Sequence, residues 1–99
     1  MSELYPIIQK EELPYLTFSN EEVLKGASEI KDRADKLLSA VKQGRLFYKK
    51  ANLTIGTIDG LKTVHANIWE ATDHNVVLMG GITIPVCCIH EVSISAANK

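Results

Sequence analysis

The chain has 99 residues, of which 45% are hydrophobic and 23% are charged, and its formal net charge is −1. This length and composition are typical of one globular domain with a modest core and exclude a disordered chain. A net charge so close to zero disfavours a protein whose main task is to coat phosphate backbones, because such proteins carry a surplus of Lys and Arg.

The expected compartment is the cytoplasm. No apolar run approaches the roughly 18 residues that a membrane span requires, and the polar start MSELYPII lacks the basic and apolar regions of a signal peptide. Cys87 and Cys88 are adjacent, and adjacent cysteines form a disulfide only with strained geometry. We therefore expect two reduced thiols, one in the core and one near the surface.

Residues 1–18 are predicted to form an apolar arm. This arm contains eight large apolar side chains, which is too much apolar surface for a solvated tail. Pro6 and Pro14 prevent one continuous helix. We therefore expect the arm to pack on another surface.

Residues 19–43 are predicted to form an amphipathic helix. Ser19 and Glu22 have the spacing of a capping box, Phe18 and Val23 that of a hydrophobic staple, and Gly44 is a plausible terminator. Apolar residues recur at steps of three and four on one face: Val23, Ala27, Ile30, Ala34, Leu37 and Val41. Charged residues occupy the predicted solvent face: Lys25, Glu29, Lys31, Asp32, Arg33 and Lys36.

Beyond Gly44 the apolar residues alternate with a period of two, which predicts about five short strands in residues 44–95. Turns are expected at Asp59-Gly60, at residues 73–75 and at a two-residue hairpin loop, Gly80-Gly81. A single 3₁₀ turn is expected after Pro85, followed by a closing strand. The predicted core includes Leu78, Ile84 and Ile89.

This order of elements resembles the small SH3-like and Sm-like barrels. DGLKTVHANIWEATDHNVVLMGG is similar to the part of a bacterial Sm-like RNA chaperone that carries an Asp-containing turn, and PVCCIHEV is similar to that family's last motif. The resemblance implies an α+β fold, with an N-terminal amphipathic helix followed by a five-stranded antiparallel barrel. That family's RNA-contact triplet would fall on Pro85-Val86-Cys87, so the resemblance implies no nucleotide site there.

Two groups of residues are candidates for binding a partner or RNA. The segment RLFYKK is the only basic-aromatic cluster, and it supplies Arg45, Phe47, Tyr48, Lys49 and Lys50. The residues His65, Asn67 and Trp69 share one strand face by alternation. An exposed Trp beside hydrogen-bonding groups can stack on a base or anchor a partner. The sequence favours the structural interpretations, in which the helix or the arm covers Trp69 and the lysines protect a strand edge.

No pattern in the sequence supports catalysis, a cofactor or a metal site. Structural zinc sites present two thiolates at C-x₂₋₄-C spacing, whereas Cys87 and Cys88 point apart. A Cys-His nucleophile would need an orienting group and an oxyanion donor, and the sequence indicates neither. His90-Glu91 lacks the helical HExxH context of a metalloprotease.

The sequence favours a non-enzymatic interaction module that assembles with itself, with an Sm-like RNA-binding protein as the alternative and a thiol or metal enzyme as the third class. We expect a homo-oligomer, most simply a dimer. A helix over residues 19–43 would be longer than the barrel that it covers, and the overhanging part of its apolar stripe would need a partner. The arm of residues 1–18 is the competing cover.

Overall fold

The computed structural model describes residues 5–19 and 21–94. The described part has an α+β fold whose helix, α1 (Ala27–Phe47), lies in the middle of the chain. The strands are β1 (Ile7–Ile8), β2 (Ala51–Thr57), β3 (Gly60–Ala66), β4 (Ile68–Ala71), β5 (Asn75–Leu78), β6 (Thr83–Pro85) and β7 (Ile89–Ile94). Two 3₁₀ helices span Lys10–Tyr15 and Val86–Cys88, the second as predicted.

The predicted barrel is wrong, because the seven described strands form two open sheets. The first sheet has the order β1-β3-β2-β7 and the second β4-β5-β6. The chain leaves the first sheet after Ala66 and enters the second at Ile68. Apolar and polar residues keep alternating across Asn67, so the sequence pattern does not reveal this change of sheet.

Both glycine turns form hairpins as predicted. Gly60 has a φ of 113° where β2 turns into β3, and Gly80 and Gly81 have φ values of 102° and 91° between β5 and β6. The second reversal contains one more residue than predicted: the Leu78 N–H donates to the Ile82 carbonyl, and the Gly81 N–H donates to the Leu78 carbonyl. The loop therefore spans residues 79–81.

The predicted helix start at Ser19 is wrong, because α1 begins at Ala27. The Ser19 N–H donates to the Gly56 carbonyl at 3.0 Å, and the Val23 N–H donates to the Cys87 carbonyl at 3.0 Å. These bonds tie Ser19 to β2 and Val23 to the second 3₁₀ helix. The Glu22 carboxylate, which would have closed the capping box, binds Arg33 instead.

The predicted helix end at Gly44 is also wrong, because α1 continues to Phe47. Gly44 is buried on the helix face that meets β4. A Cβ at this position would lie 3.1 Å from the Ile68 carbonyl oxygen. The glycine therefore favours the close approach of helix and strand and does not mark a helix terminus.

The buried face of α1 is rotated from the predicted one. The core-facing helix residues are Arg33, Leu37, Ala40 and Gly44. Ile30 and Ala34, which were predicted to face the core, are exposed. Arg33, which was predicted to be solvated, is only 5% exposed.

The core lies between α1 and the two sheets. Leu78, Ile84 and Ile89 are each 0% exposed, as predicted from their alternation. The described part of the arm packs on its own chain: β1 pairs with β3 in parallel, and Leu13 is fully buried. Residues 1–4, 20 and 95, which belong to the predicted arm, helix and barrel, lie outside the described residues.

The helix ends on a strained residue. Tyr48 has φ 58° and ψ 26°, the left-handed conformation, and among the described residues it is the only one other than glycine with a positive φ. A non-glycine side chain in this conformation costs about 1–2 kcal/mol. The ring is 76% exposed, so packing does not offset this cost.

We expect Tyr48→Gly to stabilise the fold by about 0.5–1 kcal/mol, because glycine adopts this conformation without strain but loses more backbone entropy on folding. Chemical denaturation measures the change. Phe47→Gly is the control, since Phe47 is also exposed, at 61%, but lies inside the helix, where glycine destabilises. A Tyr48→Gly variant less stable than the parent would show that the ring makes stabilising contacts.

Candidate functional site

The C-terminal end of α1 meets the junction of β3 and β4, and this contact assembles a surface from both predicted groups. We name this surface the basic-aromatic patch. It is defined by Arg45, Asn67 and Trp69, whose contacts join the end of the helix to β4, and by the residues that follow the helix, Tyr48, Lys49 and Lys50. Two segments that are separated in the sequence therefore form one surface.

The contact between Arg45 and Trp69 joins the two segments. The guanidinium carbon of Arg45 lies 5.3 Å from the centre of the Trp69 ring, within the range of a cation-π interaction. Trp69 remains 47% exposed. The predicted covering of Trp69 by the helix is therefore only partial.

Backbone contacts hold the patch in place. Gly44 lets the helix approach Ile68, the residue before Trp69. The side-chain amide of Asn67 donates to the Lys49 carbonyl at 3.4 Å, and the Asn67 carbonyl accepts from the Met79 N–H at 2.9 Å. Asn67 thus fixes the linker after the helix to the strand that carries Trp69.

Two predicted site residues lie apart from the patch. Phe47 is 61% exposed, but it is two residues from Arg45 on the helix and so points to a different side. His65 is exposed on the first sheet, where its partner in the register is Asn52. Burial follows the predicted alternation across residues 64–69, but His65 and Trp69 lie on strands of different sheets.

A second surface was missed by sequence reasoning. A groove of about 320 Å³ runs between α1 and the end of β4. Its apolar lining consists of Ile30, Ala34, Leu37, Leu38, Ala71 and Val86. Leu38 is 62% exposed and Ile30 is 37% exposed. We name this groove and the exposed helix residues beside it the α1-β4 face.

An ion pair between the buried Arg33 and the exposed Glu22 was also missed. The two terminal nitrogens of Arg33 donate to the Glu22 carboxylate at 2.7 and 2.6 Å, and Nη1 also donates to the Ile89 carbonyl at 2.9 Å. These hydrogen bonds from Arg33 hold the pKa of Glu22 below its usual value. Spacing along the chain gave no signal for the pair, because the contact joins an extended segment to the helix.

The cysteines occupy the predicted environments. Cys88 is buried and Cys87 is half-buried, and both are free thiols. Burial raises the pKa of Cys88 to about 11, so this thiol stays protonated near neutral pH. Protonated thiols are poor nucleophiles and poor metal ligands.

Within residues 5–19 and 21–94, no three His, Cys, Asp or Glu side chains lie close enough together to hold a metal ion. Over the same residues, no helix has both the length and the apolar character needed to cross a membrane.

Comparison of the chain with protein-family models, curated proteins and solved structures found no match. These comparisons do not test the resemblance to small-barrel proteins, which stays a prediction from the sequence.

Proposed function

We propose that this chain is a non-enzymatic interaction module that pairs with a second copy of itself through the α1-β4 face. The observation that carries the proposal is the exposure of Ile30 and Leu38 beside an apolar groove. The module would act in the cytoplasm, because free thiols such as Cys87 and Cys88 persist in a reducing compartment.

Burial of this face is favourable. Each Å² of apolar surface removed from water contributes roughly 25 cal/mol. The described arm cannot supply the cover, because β1 pairs with β3 and Leu13 packs in the core. The exposed apolar surface that needs a partner therefore lies on α1.

The face has the residue spacing of an antiparallel helix pair. Ile30 and Leu38 are equally distant from Ala34 along the helix, as are Ala27 and Val41. A two-fold axis at Ala34 would place Ile30 against the partner's Leu38, and small alanines at the crossing would let the helices approach. A second copy supplies this complementary surface without any other partner.

The charges at the rim favour the same arrangement. Lys31 and Asp35 form an ion pair of 3.1 Å at the edge of the face. In the antiparallel pair, Lys31 would lie within one helical turn of the partner's Asp35. The two copies would therefore bring opposite charges together at the rim of the pair.

We expect Leu38→Glu to convert the dimer into a monomer, because a carboxylate would be buried without a partner at the centre of the face. Sedimentation velocity measures the mass, and circular dichroism checks the fold. Leu46→Glu is the matched control: Leu46 is 63% exposed on the same helix but points away from the face. The proposal fails if Leu38→Glu and Leu46→Glu have the same association state.

A further inference from the structure

We infer that the basic-aromatic patch binds single-stranded nucleic acid by stacking bases on its rings and pairing phosphates with its cations. This inference is independent of self-pairing, since Arg45 lies eleven residues, or roughly 16 Å of helix, from Ala34. Arg45 therefore lies beyond residues 27–41, the part of α1 that the proposed pairing uses.

The patch offers flat surfaces of the kind that bases stack on. Tyr48, the residue that follows α1, is 76% exposed, and Trp69 on β4 is 47% exposed. Arg45 over the Trp69 ring extends the platform with a planar cation, which can itself stack on a base.

The charge around these rings is strongly positive although the whole chain is not. The segment 42–50 contains four basic residues and no acidic one, whereas the chain as a whole carries a net charge of −1. The basic residues are Lys42, Arg45, Lys49 and Lys50. Across the junction, the acidic residue closest in the sequence is Glu70, next to Trp69.

The helix end does not oppose an anion as strongly as a free terminus would. The carbonyls of Gly44 and Gln43 accept hydrogen bonds from the Tyr48 and Lys49 N–H groups. These bonds satisfy carbonyl oxygens that would otherwise repel phosphate. Two lysines, Lys49 and Lys50, directly follow the helix end and add positive charge there.

The ligand is single-stranded because stacking needs bases that are not already stacked in a duplex. Four cations are also too few to hold a duplex tightly by charge alone. The strain at Tyr48 supports the same assignment, since a left-handed tyrosine that lacks packing is explained when its ring meets a ligand.

The test uses the full-length protein and a fluorescently labelled single-stranded oligouridylate of about ten nucleotides, within the site sizes of such grooves. Anisotropy measures affinity, and quenching of Trp69 reports stacking directly, because the chain has one tryptophan. We expect quenching on binding and an affinity that falls as salt rises.

Two variants test the patch while the fold is kept. Lys49→Gln with Lys50→Gln should weaken binding at least fivefold and flatten its salt dependence, and Lys25→Gln with Lys36→Gln is the control with the same change in charge. Tyr48→Gly, which should not destabilise the protein, should also weaken binding, by roughly 5-fold or more for the loss of one stacking ring. Leu38→Glu should leave the affinity of each chain for the oligouridylate unchanged.

Four outcomes would overturn the inference. They are no binding at low salt, an equal loss of affinity in both lysine double variants, equal binding to a duplex of the same sequence, and equal binding to polyglutamate without Trp69 quenching. The last result would assign the patch to acidic protein segments instead.

Discussion

We expect Leu78→Ala to lower the free energy of unfolding by about 2–5 kcal/mol. Leu78 is 0% exposed and lies on β5, the central strand of the second sheet, where it pairs with Ile68. Truncation removes buried apolar surface and leaves a cavity that two flanking strands prevent from collapsing. Ile84→Ala on β6 should have a cost in the same range, because Ile84 is equally buried.

Chemical denaturation measures both changes, and Val77→Ala is the control. Val77 is half-buried on the other face of β5, so its truncation should cost clearly less than that of Leu78. A loss below about 1 kcal/mol for Leu78→Ala would place this residue outside the core.

We expect Glu22→Ala to lower the free energy of unfolding by about 2–4 kcal/mol, because it leaves the Arg33 cation buried without its counter-charge. Arg33 is 5% exposed, whereas the Glu22 side chain is 34% exposed. This difference in exposure predicts that Arg33→Met lowers the free energy of unfolding less than Glu22→Ala does. The Glu22 carboxylate that remains in Arg33→Met can be hydrated. Glu21→Ala is the control, because Glu21 is exposed and next to Glu22.

The same pair predicts a pH dependence. The hydrogen bonds from Arg33 lower the pKa of Glu22 from the ordinary 4.5. The pair therefore contributes fully above that value and is lost as the pH falls through the lowered pKa. Chemical denaturation across this acidic range should show that the difference in the free energy of unfolding between wild type and Glu22→Ala decreases toward low pH. A constant gap, or Arg33→Met costing more than Glu22→Ala, would contradict this account.

Local chemistry predicted the hairpins and part of the core. Gly60, Gly80 and Gly81 take positive φ angles that few other residues adopt, so their turns could be identified without the rest of the chain. Leu78 and Ile84 could be identified as buried because strand alternation places them on one face.

The sequence pattern could not predict contacts between segments that are distant in the chain. Ser19 and Glu22 have capping-box spacing, but the Ser19 N–H bonds to Gly56 and the Glu22 carboxylate bonds to Arg33. Gly44 is typical of a helix end, yet its role depends on the backbone of Ile68. In each case a tertiary partner overrode a local signal.

The candidate site was predicted in pieces. Alternation and composition singled out RLFYKK and Trp69, but the contact between Arg45 and Trp69 depends on the change of sheet at Asn67. The α1-β4 face was missed because its position depends on the rotation of α1, which the burial of Arg33 and Gly44 sets. A polar residue and a glycine on the core face give no hydrophobic signal.

The most direct test of the proposed self-pairing is the mass of the unmodified protein by sedimentation equilibrium over a wide range of concentrations. We predict a mass of about twice the chain mass of 10.9 kDa at high concentration, falling toward one chain on dilution. A mass of one chain at every concentration would contradict the proposal and leave the α1-β4 face without its second copy.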